Sequence, residues 1–139
     1  MTHKLAVGAA LAAFAIGGYH LGRVQANMAN RVFELRTYTA REGKLSDLQA
    51  RFRHHTTRLF EKHGMTNVGY WVPQDAPGSR NTLIYIISHP SREAAKKAWD
   101  AFRNDPDWIK AKTESERSGA IVEKVESVFL DATDYSPIQ

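Results

Sequence analysis

Residues 82–88, TLIYIIS, are apolar on both alternating faces: Leu83, Tyr85 and Ile87 point one way, Ile84 and Ile86 the other. Side chains two apart share one face of a sheet, and an apolar face left in water forfeits its burial free energy. A strand of this kind therefore needs cover on both sides. One layer of helices supplies only one. The second layer must come from elsewhere in the chain or from another molecule.

The remaining patterns say what surrounds this strand. Residues 32–38, VFELRTY, alternate, with Phe33, Leu35 and Thr37 on one side and Val32, Glu34, Arg36 and Tyr38 on the other, which predicts a first strand. Leu45, Leu48, Phe52, Thr56, Leu59 and His63 recur at helical spacing, and Gly64 suits a left-handed cap. Strand composition returns in TNVGYWVP, and the loop QDAPGSR then leads into NTLIYIISH, which predicts a hairpin. Ser91 is placed to cap a second helix that carries Ala94, Ala95, Ala98, Trp99 and Phe102. Asp105 and Pro106 start a short further helix reaching about Ser118. Ile121 to Leu130 alternate as a last strand, and the tail DATDYSPIQ has no pattern. The order β-α-β-β-α-β predicts an α+β, ferredoxin-like sandwich: a four-stranded antiparallel sheet with both helices on one face. The bare face is expected to pack against a second copy, giving a homodimer; the alternative is a long loop or the tail folding across it.

The first 26 residues read differently from the rest. Lys4 precedes an apolar run of about 12 residues, 5–16, followed by small and polar residues, with Val24 and Ala26 at the spacing that signal peptidase accepts before Asn27. The run falls short of the roughly 20 residues that cross a bilayer, which favours a cleaved export signal over an uncleaved N-terminal anchor. Residues 27–139 form the folded domain, expected outside the cytoplasm, in the periplasm or secreted, and at a membrane only if the anchor is retained. Beyond the signal, 17 basic face 15 acidic residues with no basic patch, so nucleic acid is not an expected partner. The chain has no cysteine, which excludes thiol nucleophiles and thiolate metal sites. Nucleophile-elbow, phosphate-loop, zinc-protease and dinucleotide motifs do not occur.

Several residues are candidates for chemistry. His54 and His55 are adjacent on the first helix, and His55 lies nearer its apolar stripe, where it would serve as general base or haem ligand, or else be a boundary histidine with a hydrogen-bonded ring; residues 58 and 59 offer no second metal ligand at helical spacing, so no metal is expected. Tyr38, Tyr70, Trp71 and Tyr85 bring polar-tipped rings from three strands and would wall a pocket for a flat aromatic or lipophilic ligand, or else fill the core. Arg36 would bind an anionic group or pair with Glu34. Trp108 sits beside the helix break as a lid or an anchor, while His63 and His89 read as helix-end and strand-exit residues.

Together FELRTYTAREGKL, the helix ending EKHGM, GYW, LIYIISHPSREAA and AFRNDPDW resemble the NIPSNAP family over about residues 32–130. That resemblance implies a dimeric α+β barrel, a fold also used by cofactor-independent monooxygenases and some haem-degrading enzymes. The family has no generally accepted reaction. The expected function is thus an exported homodimer that binds a small molecule or a protein. The alternatives are a cofactor-free monooxygenase or isomerase using His55 or Tyr38 to move a proton, and a haem-binding protein using His55. No cofactor is required by the first two.

Overall fold

The computed structural model describes residues 31–139, and the predicted signal or anchor at 1–26 lies outside the described residues. Strands β1 (Val32–Ala40), β2 (Thr66–Trp71), β3 (Thr82–His89) and β4 (Val122–Leu130) form one antiparallel sheet in the order β2-β3-β1-β4. Helices α1 (Leu45–Arg51) and α2 (Thr57–Lys62) follow β1 and are joined by a π-helical turn, Phe52–Thr56. A single-turn helix, α3 (Gly78–Asn81), occupies the hairpin loop that sequence patterning leaves irregular. Helices α4 (Arg92–Arg103) and α5 (Pro106–Ser115) precede β4. This is the expected ferredoxin-like arrangement.

The helical layer buries Leu83, Tyr85 and Ile87 of β3 against Leu48, Phe52, Leu59 and Phe60 of the first helical segment and Ala98, Trp99 and Phe102 of α4. Full burial of each large side chain here contributes roughly 1.5–3 kcal/mol. Ala95, Ala98, Trp99 and Phe102 recur at three- and four-residue spacing, so α4 presents one stripe inward. Its start is set by Ser91, whose Oγ accepts from the Ala94 amide at 3.0 Å. Helix α5 begins at Asp105, whose carboxylate accepts from the Asp107 amide at 2.8 Å, with Pro106 in the first turn. The other Asp105 oxygen receives Lys62 Nζ and His63 Nε2, each at 2.7 Å. His63 therefore does more than end a helix: it fastens the α4–α5 corner to the end of α2.

The other face of the sheet carries Phe33, Leu35 and Thr37 of β1, paired in register with Ser88, Ile86 and Ile84 of β3 and with Leu130, Val128 and Glu126 of β4. Trp71 lies on this face, folded over Gly69, where an added Cβ would stand within 3.0 Å of the indole. The C-terminal tail is more ordered than its sequence suggests. Gln139 Nε2 donates to the carbonyls of Thr133 and Ser136, and Ser136 and Ile138 face Phe33, Val68, Ile86 and Leu130 across a cavity of about 300 Å³. The tail thus shelters one end of the face. Trp71 and Val128, both about half exposed, lie beyond it.

Gly64 closes α2 in the predicted left-handed conformation, φ +80°, with Met65 N donating to Phe60 O and Gly64 N to Glu61 O. No atom stands within 4 Å of an added Cβ, so only the backbone resists substitution. Gly64→Ala is expected to lower unfolding stability by about 1–2 kcal/mol in urea titration, and Gly64→Asn by less.

Candidate functional site

Strand β1 turns its polar parity inward. Glu34, Arg36 and Tyr38 project beneath the helices, while the more apolar parity faces out. Glu34 is 1% exposed and accepts four hydrogen bonds: Oε1 from Arg36 Nη1 at 2.6 Å and Ser127 Oγ at 2.7 Å, Oε2 from Trp99 Nε1 at 2.8 Å and His89 Nε2 at 2.9 Å. Burial pushes its pKa up, but donation from His89, Ser127, Trp99 and Arg36 outweighs that and brings the carboxyl down to about 2. The guanidinium of Arg36 lies 4.2 Å from the Trp99 ring centroid, and the carboxylate helps hold it charged against its own burial. Arg36 Nη2 then reaches Tyr38 Oη at 3.5 Å, and Tyr85 Oη donates to the same oxygen at 3.2 Å.

Tyr38 stands at the wall of a second cavity, of about 320 Å³, between the helical layer and the β4 edge of the sheet. Phe52, Phe60, Phe102 and Trp108 line it on the helical side; Tyr38, Val122 and Val125 line it on the sheet side; Ala120, exposed, stands at its rim. Trp108 is both anchor and wall, with its ring 4.5 Å from Phe102. Arg51, Thr56, Lys112 and Glu116 supply the polar lining. Arg51 is 4% exposed, lies 5.2 Å from the Trp108 ring, and donates from Nη1 to Glu116 at 2.9 Å and Ser115 at 3.3 Å.

The π-helical turn explains how Arg51 reaches this wall. In a regular α-helix residues five apart point about 140° apart, so Arg51 and Thr56 would not share a face. A turn closed five residues on brings both inward, and both are buried. Such a turn leaves no mark in hydrophobic spacing, which is why Arg51 escapes a sequence reading. His89 closes β3, as expected of a strand-exit residue, but its side chain is fully buried, because it shares the inward parity of Leu83, Tyr85 and Ile87.

The predicted site residues separate into groups. Tyr38 and Trp108 line the cavity, with Arg36 and Tyr85 directly behind Tyr38. Tyr70 is packed in the core, stacked on Tyr85 at 5.2 Å with its hydroxyl donating to Asn67, and burial pushes its pKa up. Trp71 is on the opposite face of the sheet. His55 borders a polar groove between the first helical segment and α5, with Asp47, His54 and Glu114, and does not share the cavity of Tyr38. Among the described residues no cluster of three or more histidine or carboxylate side chains suits a metal ion.

The NIPSNAP family model matches residues 33–137. The chain belongs to the NIPSNAP family. Among solved structures, a NIPSNAP protein with unknown function from Agrobacterium tumefaciens strain C58 is similar over 80% of this chain and 96% of its own, with 19% identity and a TM-score of 0.68. A second NIPSNAP protein from that bacterium is similar over 79% and 100%, with 21% identity and a TM-score of 0.68. SnoaB, a cofactor-independent oxygenase from Streptomyces nogalater, is similar over 78% and 99%, with 15% identity and a TM-score of 0.53. These likenesses are of fold. No curated protein matches.

Because the Glu34 carboxyl is lowered from 4.5 to about 2, its contribution is complete above pH 4.5 and is lost as pH falls toward 2. That contribution amounts to about 3 kcal/mol. Stability measured by urea titration between those pH values should fall more steeply for the unaltered protein than for Glu34→Gln, which should already be weaker at neutral pH because Arg36 loses its buried partner.

Proposed function

We propose that this NIPSNAP protein is an exported homodimer that binds a small aromatic molecule in the cavity lined by Tyr38 and Trp108. The observation that carries the proposal is the state of the Tyr38 hydroxyl at that wall. Its oxygen accepts from both Arg36 and Tyr85, which leaves its own proton for a ligand. Four aromatic rings around one oriented donor suit a flat molecule bearing a carbonyl or hydroxyl oxygen.

An enzymatic reading, with Tyr38 moving a proton as part of oxygenase chemistry like that of SnoaB, asks for a second proton-transfer group in the cavity. His55 faces another groove, and Glu116 is engaged by Arg51. Binding without conversion asks for nothing further. A haem reading asks for an apolar slot at His55, where the groove instead carries Asp47, Arg51 and Glu114.

Dimerisation is supported by the bare sheet face. Four strands of up to nine residues span roughly 19 by 30 Å, and the part of that face beyond the tail is left for a partner. Leu35, Ile84, Ile86, Trp71 and Val128 give it an apolar centre, and Lys124 with Glu126, paired at 2.9 Å, a polar end. A second copy presents the same surface, as a two-fold interface requires. Export is supported by the segment at 1–26 alone.

Protein recovered from an exporting bacterial host should begin at Asn27 by N-terminal sequencing and run as a dimer in light scattering at micromolar concentration. The double variant Ile84→Asp, Val128→Asp should run as a folded monomer. A wild-type monomer at that concentration contradicts the assembly. For the cavity, the neutral naphthyl ketone probe PRODAN should bind the same protein with its fluorescence enhanced. Tyr38→Phe should weaken that binding about fivefold, the worth of one hydrogen bond, and Ala120→Trp should abolish it by filling the rim. Equal PRODAN binding by Ala120→Trp contradicts the site.

A further inference from the structure

The cavity's charge is lopsided. Arg51 and Lys112 line it against the single carboxylate of Glu116. Arg36 stands behind Tyr38 but is matched by Glu34. A wall with one cation in excess and an apolar remainder favours a ligand that carries one negative charge.

The use of Arg51 makes this specific. Its side chain is 97% buried, yet among the described residues only Nη1 is hydrogen-bonded, to Glu116 and Ser115. Among the described residues Nε is buried without a partner, and Nη2 makes no hydrogen bond to them. The Nε–Nη2 edge is the fork that a carboxylate or phenolate oxygen pair engages, and a buried donor left unpaired is costly. The ring of Trp108, beside the guanidinium, offers a surface on which an aromatic ligand could stack.

We infer that the ligand of the Tyr38 cavity is an aromatic monoanion, an aryl carboxylate or comparable acid, whose charged group takes the free edge of Arg51 with Lys112 nearby and whose ring packs between Trp108 and Val125. The inference rests on the cavity being a binding site and adds the charge of its occupant. Arg51 also borders the groove holding His54, His55 and Ser115, so the side on which the anion binds is part of the claim.

The test is competition by two probes of one shape, 2-naphthoate and 2-naphthamide, against PRODAN on the exported protein, with direct calorimetry of each. The carboxylate should bind about tenfold tighter than the amide, in line with the greater strength of charge-assisted hydrogen bonds. Lys112→Gln, an exposed rim position, should reduce that preference about threefold and weaken its salt dependence. Arg51→Gln should erase the preference while PRODAN still binds, which also reports that the variant is folded. If PRODAN binds but the two probes bind alike, the charge inference falls and the binding site stands. If PRODAN does not bind, the binding site itself fails. Naphthoate binding that survives Ala120→Trp would put the anion in the histidine groove and overturn the placement.

Discussion

The buried carboxylate of Glu34 organises this protein. Four donors from four elements, Arg36 of β1, His89 of β3, Trp99 of α4 and Ser127 of β4, converge on its two oxygens. An ion so deeply placed is tolerated only when its lone pairs are filled, so all four elements must be in register together. The cost of that layer is topological. Period-two alternation sends Phe33 and Leu35 to the opposite face whenever Glu34 and Arg36 go in. The apolar bare face and the polar interior of β1 are one decision seen from two sides.

Arg36 carries the influence of Glu34 outward to the Tyr38 hydroxyl, and Tyr85 supports the same oxygen from β3. A cavity-facing tyrosine is thereby fixed by strands rather than by a loop, which keeps its geometry precise. Across the cavity the wall is built by helix ends. Asp105, whose pKa Lys62 and His63 push well below the usual carboxylate range, ties α5 to α2 and so sets where Trp108 stands. The π-helical turn sets where Arg51 stands. Opposite walls are thus positioned by independent devices, and the space between them is what the fold leaves open.

Much of the fold was legible in the sequence. Element order, the Ser91 and Asp105 caps, the Gly64 stop and the two-faced β3 strand all follow from local spacing and turn chemistry, and they determine the ferredoxin-like topology. The site was legible only in part. Tyr38 and Trp108 stand out in the sequence as polar-tipped and corner aromatics, and the spacing of Glu34 and Arg36 allows their salt bridge. Arg51 was hidden because a π turn shifts the helical face without altering composition. Regular helical periodicity points His55 inward, and that same turn breaks the periodicity. Trp71 and Tyr70, adjacent on β2, could not both face the cavity, and the bulge between Asn67 and Gly69 decides their sides. The tail showed no pattern because it is held by turns and by Gln139 rather than by a periodic face.

The central claim is that strand β1 directs an ionised Glu34 into the interior and its apolar residues outward. The most direct measurement is an NMR pH titration of the glutamate side-chain carboxyl carbons, with Glu34 assigned through Glu34→Gln. The Glu34 resonance should titrate with a midpoint of about 2, well below the ordinary carboxyl value of 4.5. If the Glu34 resonance instead titrates at the ordinary carboxyl value of 4.5, its carboxylate is not held by those four donors, and the face assignment that underlies both the cavity and the bare sheet is wrong.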